Sequence, residues 1–195
     1  MDKARVFIAP GYLGVPSGSY RPWLKQELEA LDFEVSTPMV ISSRLEILES
    51  VALLSGAVGK PDENTYIVAQ SAAVPVLLNY LHGLDEKTKI GGSILISGFT
   101  TKITKFLSNF SEAALALDYN RVRRASAKFE IIHHKDDNWV LVSEAYHLRR
   151  KIPEAKLTIV TEPSKDPSNH FVSVERLPQA LQAVLRMNKI RVPTR

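Results

Sequence analysis

Six short runs rich in β-branched and aromatic residues are strung along the chain, at 5–9, 33–37, 66–69, 93–97, 129–133 and 157–160. Helical patterns separate them. Leu24, Leu28 and Leu31 recur at helical spacing, Leu45, Leu48, Val51, Ala52 and Leu54 make a second apolar stripe, and Leu177, Leu181, Val184 and Leu185 make a third, with Pro178 at its start. Ser43 and Glu46 have the spacing of a capping box ahead of the second stripe. Residues 72–82 are apolar nearly all round, as a helix buried at the centre of a fold must be, and Pro75 falls in a first turn where a missing N–H does no harm. Strands that alternate with helices can be joined only by crossovers, and crossovers put helices on both faces of a mainly parallel sheet. The expected architecture is a compact three-layer α/β/α domain of about six strands, spanning 1–195 without a composition break.

Open sheets of this kind bind ligands beyond the carboxyl ends of their strands, so the residues that follow each strand carry the functional information. The first strand is followed by Pro10-Gly11-Tyr12-Leu13-Gly14, and the third by Ser71 within Ala69-Gln70-Ser71-Ala72-Ala73. The fifth leads into His133-His134-Lys135-Asp136-Asp137-Asn138-Trp139-Val140, and the sixth is followed by His170-Phe171. One serine between small residues, running from an apolar strand straight into an apolar helix, has the outline of a nucleophile elbow, with alanine at both usual glycine positions. Serine, then acid, then histidine is the chain order of the α/β-hydrolase triad, distinct from the other two common orders.

Bulk properties narrow the alternatives. The 195 residues are 45% hydrophobic, enough for one substantial core. With no cysteine, thiolate metal sites, disulfides and cysteine nucleophiles are excluded together. The start is too poor in apolar residues before Pro10 for a signal peptide, and no stretch approaches a membrane span, so a cytoplasmic protein without membrane attachment is expected. The net charge of +4 is mild, and its basic residues, among them Arg121, Arg123, Arg124, Arg149, Arg150 and Lys151, lack the interleaved aromatics of a nucleic-acid site; solvated helix surface is the plainer reading. Gly11-x-x-Gly14-x-x-x-Gly18 fits neither the dinucleotide nor the Walker spacing, and the His133, His134, Asp136 and Asp137 group has no metal-ligand spacing.

From its opening strand with Pro10-Gly11 to His170-Phe171, the chain resembles the small serine hydrolases of the α/β-hydrolase superfamily, typified by the retinoblastoma-binding-protein-nine-like and related bacterial proteins. The resemblance also takes in the helix around Trp23-Leu24-Lys25-Gln26-Glu27-Leu28, the serine turn, Asp118-Tyr119-Asn120-Arg121-Val122, and Asp136-Asp137-Asn138-Trp139-Val140. It differs at Asn169, where the family often has glycine, and at Leu141, where it often has proline. The resemblance implies Ser71 as nucleophile, Asp137 as acid with Asp136 as the alternative, and His170 as base. It also implies a small cap around 98–127.

The chemistry that follows is cleavage of a small ester, thioester or amide through an acyl-serine intermediate, with a small-molecule substrate, no cofactor and no metal. Backbone N–H groups of Tyr12 and Ala72 are the expected oxyanion donors. Gly11, Gln70 and Phe99 are expected at the substrate pocket, with Phe106, Leu107 and Phe110 giving it a shallow apolar wall. A monomer or small homo-oligomer is expected. In the plainer alternative Ser71 merely caps the buried helix, and the protein is a catalytically silent hydrolase fold that serves as a binding module.

Overall fold

The computed structural model describes residues 3–11, 19–41, 46–101 and 116–189. Six strands form one sheet: β1 (Arg5–Ala9), β2 (Glu34–Ser36), β3 (Thr65–Gln70), β4 (Gly92–Ile96), β5 (Phe129–His134) and β6 (Lys156–Val160). The described helices are α1 (Tyr20–Ala30), α2 (Ile47–Val58), α3 (Ala73–Gly83), α4 (Tyr119–Ala125), α5 (Ser143–Lys151) and α6 (Pro178–Met187). Every strand pairing is parallel, and the order across the sheet is β2-β1-β3-β4-β5-β6. The chain therefore runs outward from β1 to β2, then returns past β1 to lay down β3. The order reverses between β1 and β3, which is where such sheets open a ligand crevice.

Period-two alternation sends each strand's side chains to opposite faces. Val6, Ile8, Val68, Ile94, Ile96 and Ile132 pack with Leu24 and Leu28 of α1 and with Ala180, Ala183 and Val184 of α6. Phe7, Ala9, Ile67, Ala69, Leu95 and Ile131 face the other way and pack with α2, α3, α4 and α5. The strands β3, β4 and β5 are buried along their whole length, and their sequences show no strict alternation of apolar and polar residues. Burial of each large aliphatic side chain contributes about 2 kcal/mol, and two such cores hold the sheet from both sides.

The helix α2 differs from its expected stripe. Its buried face is Ile47, Ser50, Leu54 and Val58, whereas Leu48 is 71% exposed. The helix starts at Ile47 behind a capping box made by Glu46 and Glu49, which sets the phase of the helix one residue away from Leu48. Ser43 and Leu45 lie outside the described residues. The expected cap, 98–127, is described at its two ends, and 102–115, with Phe106, Leu107 and Phe110, lies outside the description. At the far end, α4 sends Val122 and Ala125 into the core, so those residues belong to the crossover from β4 to β5. No described helix is long and apolar enough to cross a membrane.

Candidate active site

The strand β3 ends at Gln70, and the next residue, Ser71, has φ of +53°. A side chain with a Cβ seldom adopts that left-handed conformation, which costs about 1 kcal/mol or more and persists only where the surroundings enforce it. They do so through the backbone: Ser71 N donates to Ile96 O at 2.9 Å, and Val74 N donates to Ser71 O at 3.0 Å. Ala72 then turns right-handed, with φ −60° and ψ −22°, and α3 begins at Ala73. Thr65 to Gln70 and Ala72 to Leu78 are all buried, while Ser71 is half-buried, so one hydroxyl emerges from an otherwise enclosed run.

The alanines at 69 and 73 fit because neither needs a glycine conformation; within 69–73 only Ser71 has positive φ. Their methyl groups lie fully buried in the core between β3 and the helices. Close approach is supplied by glycines on neighbouring loops. A Cβ on Gly11 would lie 2.9 Å from Ser71 Cβ, and one on Gly98 would lie 2.5 Å from Val74 Cγ1. Gly11 is thus pressed against Ser71 from the loop after β1.

The loop after β6 presents His170. Asp166 organises it from within: its Oδ1 accepts from Ser168 N at 3.0 Å and Ser168 Oγ at 2.7 Å, and its Oδ2 accepts from Val172 N at 2.8 Å. Burial pushes the Asp166 carboxyl upward, but these donors outweigh it and hold the group below the usual carboxylate range. The two residues flanking His170 are left-handed, Asn169 at φ +53° and Phe171 at +57°. Asparagine tolerates that region better than most residues, which explains why it can stand in a glycine position.

The loop after β5 brings in Asp137. His170 Nδ1 and Asp137 Oδ2 are 2.8 Å apart, both side chains buried, and Asp137 Oδ1 accepts from Trp139 N and Val140 N, each at 2.9 Å. Asp136 is exposed beside Lys135, with a 3.5 Å ion pair, and its side chain has no contact with His170 among the described residues. Three hydrogen bonds lace the two loops together: Asn138 N to Ser168 O at 3.0 Å, Asn138 Nδ2 to Pro167 O at 3.2 Å, and Asn169 Nδ2 to Asp136 O at 3.2 Å. A fourth reaches the serine strand, where Gln70 Nε2 donates to His170 O at 2.9 Å and Gln70 Oε1 accepts from the Tyr20 hydroxyl at 3.2 Å.

Because a carboxylate only accepts, the His170 Nδ1 carries the proton in that contact, and in the neutral imidazole Nε2 is the nitrogen with the free lone pair. That Nε2 is buried with no hydrogen-bond partner among the described residues. The Trp139 ring lies 5.1 Å from the His170 ring, inclined by 38°. Beyond Asp137, His133 Nε2 lies 2.8 Å from Val140 O and 3.5 Å from Asp137 Oδ2. Burial drives the His133 pKa down against the opposing pull of Val140 O and Asp137, so this imidazole stays neutral and donates from Nε2.

Of the other expected site residues, Ala72 is the N-cap of α3, where helix geometry leaves N–H groups without internal partners. Tyr12 lies outside the described residues. Phe99 is 1% exposed and belongs to the core, and Gln70 is 3% exposed with its amide committed to His170 and Tyr20. Among the described residues no group of three or more His, Cys, Asp or Glu side chains is placed to hold a metal ion. Sequence reasoning missed Asp166, His133 and Trp139. For Asp166 a signal existed, since Asp-Pro-Ser-Asn is the composition of a side-chain-stapled turn; for the other two only the folded contacts reveal the connection.

The fold recurs among solved structures. The ydeN gene product of Bacillus subtilis superposes with a TM-score of 0.84 at 24% identity, covering 96% of this chain and 100% of that one. Est1E of Butyrivibrio proteoclasticus superposes with a TM-score of 0.69 at 9% identity, covering 96% and 89%. In sequence, YdeN of Bacillus subtilis is 29% identical over 157 residues, which span 77% of this chain and 80% of the relative. The serine hydrolase family profile matches residues 6–181, most of the described sheet and all three loops that carry Ser71, Asp137 and His170. The chain belongs to the serine hydrolase family and is, at that level, a hydrolase with the α/β-hydrolase fold.

Proposed function

We propose that the protein cleaves a small carboxylic ester, thioester or amide through an acyl enzyme on Ser71. The observation that carries this reading is the buried 2.8 Å contact between Asp137 and His170 Nδ1, which leaves a lone pair on Nε2. The backbone carbonyl of that histidine accepts from Gln70, the residue before the strained serine. Ser71 Oγ attacks the carbonyl carbon while His170 Nε2 takes its proton, and Asp137 stabilises the resulting imidazolium without itself becoming protonated. The tetrahedral oxyanion accepts hydrogen bonds from Ala72 N–H and, in this reading, from Tyr12 N–H. Collapse expels the alcohol, thiol or amine, which receives the proton from His170. Water then attacks the acyl-serine with His170 again as base, releasing the acid and restoring Ser71.

A fluorophosphonate probe tests the assignment. The wild-type protein is expected to label at one site, and Ser71→Ala and His170→Ala to lose labelling while keeping the wild-type circular dichroism spectrum. A folded wild type that does not label, and that leaves 4-nitrophenyl acetate intact, would move the protein to the silent binding-module reading.

A further inference from the structure

The strand β5 ends on two consecutive histidines, and both are buried. Successive side chains of a strand point to opposite faces, so His133 and His134 reach the following loop from two directions. His134 holds the near end of that loop, with Nδ1 accepting from Asp136 N at 3.0 Å and Nε2 bonded to Glu162 O at 3.0 Å. His133 holds the far end, with Nε2 at 2.8 Å from Val140 O.

Val140 is gripped from both sides of its backbone. Its O accepts from His133, while its N donates to Asp137 Oδ1 at 2.9 Å. The same His133 Nε2 lies 3.5 Å from Asp137 Oδ2, the oxygen that meets His170 Nδ1. Asp137 therefore has two backbone donors on Oδ1, from Trp139 and Val140, and the N–H edges of two imidazoles beside Oδ2. An imidazole in an apolar core carries a desolvation cost that an aliphatic residue at this strand position would avoid. What the ring adds is a donor aimed at the turn and at the carboxylate together.

His133 is a fixed neutral donor and not a second base. The charged and titratable groups that act on it are Asp137, His170 and Glu144 of α5, and burial keeps the ring neutral against the pull of both carboxylates. Its Nδ1 is buried with no hydrogen-bond partner among the described residues, so a second proton would have no acceptor there. We infer that His133 is a positioning residue for Asp137: its Nε2–H fixes the 137–140 turn and the edge of Oδ2 together, so that this oxygen stays turned toward His170. The inference rests on Asp137 and His170 serving Ser71 as proposed above.

The test compares His133→Leu, which removes the donor, with His133→Gln, whose amide N–H can take the place of Nε2–H. With 4-nitrophenyl acetate, His133→Leu is expected to lower kcat by about tenfold at nearly unchanged KM, and His133→Gln to recover most of that loss. In an Asp137→Asn background, His133→Leu is expected to slow fluorophosphonate labelling by less than about twofold further, because a residue that acts through Asp137 has nothing left to position. Equal losses in both backgrounds, or equal losses in the Leu and Gln variants, would make His133 a packing residue and overturn the inference. Full turnover by His133→Leu would also overturn it and leave the hydrolase reading intact. NMR of the histidine side-chain nitrogens in the wild-type protein needs no variant to fold: His133 is expected as the Nε2–H tautomer, and the Nδ1–H tautomer overturns the inference. A wild type that neither labels nor cleaves the ester overturns the hydrolase reading, and the His170 Nδ1–H resonance then judges His133 separately. A shift of that resonance in His133→Leu and not in His133→Gln sustains the positioning role, and no shift in either overturns it.

Discussion

The turn at Ser71 and the loop at His170 both hold a residue in a constrained backbone, but by opposite means. Ser71 is fixed by what surrounds it: buried strand before, buried helix after, Gly11 pressed against its side chain, and two backbone hydrogen bonds. His170 has almost no regular structure around it and is fixed by a buried carboxylate, Asp166, that gathers the loop's own N–H and O–H groups, and by cross-links to the Asp137 loop. Apolar packing is insensitive to pH and tolerates substitutions that conserve volume. A polar staple depends on charge and on every donor keeping its acceptor. The His170 loop is therefore expected to be the more fragile half of the candidate site.

The largest effect expected from that contrast is chemical. Asp137→Asn should lower kcat by about 10⁴-fold, because the amide can hold the wrong imidazole tautomer, while Asp136→Asn should stay within about threefold of wild type. Similar losses in both variants would erase the distinction between the two aspartates. Next comes Asp166→Ala, which leaves Ser168 N, Ser168 Oγ and Val172 N without their acceptor. It is expected to destabilise the fold by about 3 kcal/mol in urea titrations and to reduce kcat/KM by more than tenfold. A stable Asp166→Ala protein with full activity would show that the loop does not need its staple.

A smaller effect is the pH dependence of folding, which both polar groups control with the same sign. The folded pKa of His133 lies below its ordinary value because of burial, so the unfolded chain binds the extra proton first; stability is full above about pH 6.5 and declines as pH falls below it. Asp166, whose donors outweigh burial, adds a second loss as pH falls below about 4. Urea midpoints measured across pH should show the upper step abolished in His133→Phe, if that variant packs, or in His133→Gln. An upper step that survives both substitutions would assign it to another histidine.

The smallest effects are expected at the apolar turn. Ser71→Gly should be more stable than Ser71→Ala by about 1 kcal/mol, since only glycine adopts +53° without strain. Ala73→Gly should destabilise α3 by about 0.5–1 kcal/mol and change kcat/KM less than threefold. A large gain in activity from Ala73→Gly would mean that the alanine does distort the serine.

The same contrast decides how much was legible before the fold was seen. Strand positions could be read to within about a residue, because a parallel sheet covered on both faces favours short runs rich in β-branched and apolar residues. The Ser71 turn followed from the same pattern, as did the placement of Asp137 and His170 after strands. Asp166 stayed hidden because a polar staple inside a loop has no periodicity to betray it. His133 sits on a strand face whose neighbour across space, the acid loop, is set by folding. Leu48 and Ala52, read as core from their spacing, were misphased because the start of α2 depends on a capping box one turn away from the expected one.

Glu144 ties the exit of one strand to a helix of a later crossover. By accepting from Thr100 N and Thr101 Oγ1, this carboxylate of α5 fastens the chain just as it leaves β4. Since β4 lies directly beside β3, the strand that ends at Gln70, a charge on the far side of the sheet's connections helps to hold the neighbour of the Ser71 turn in register.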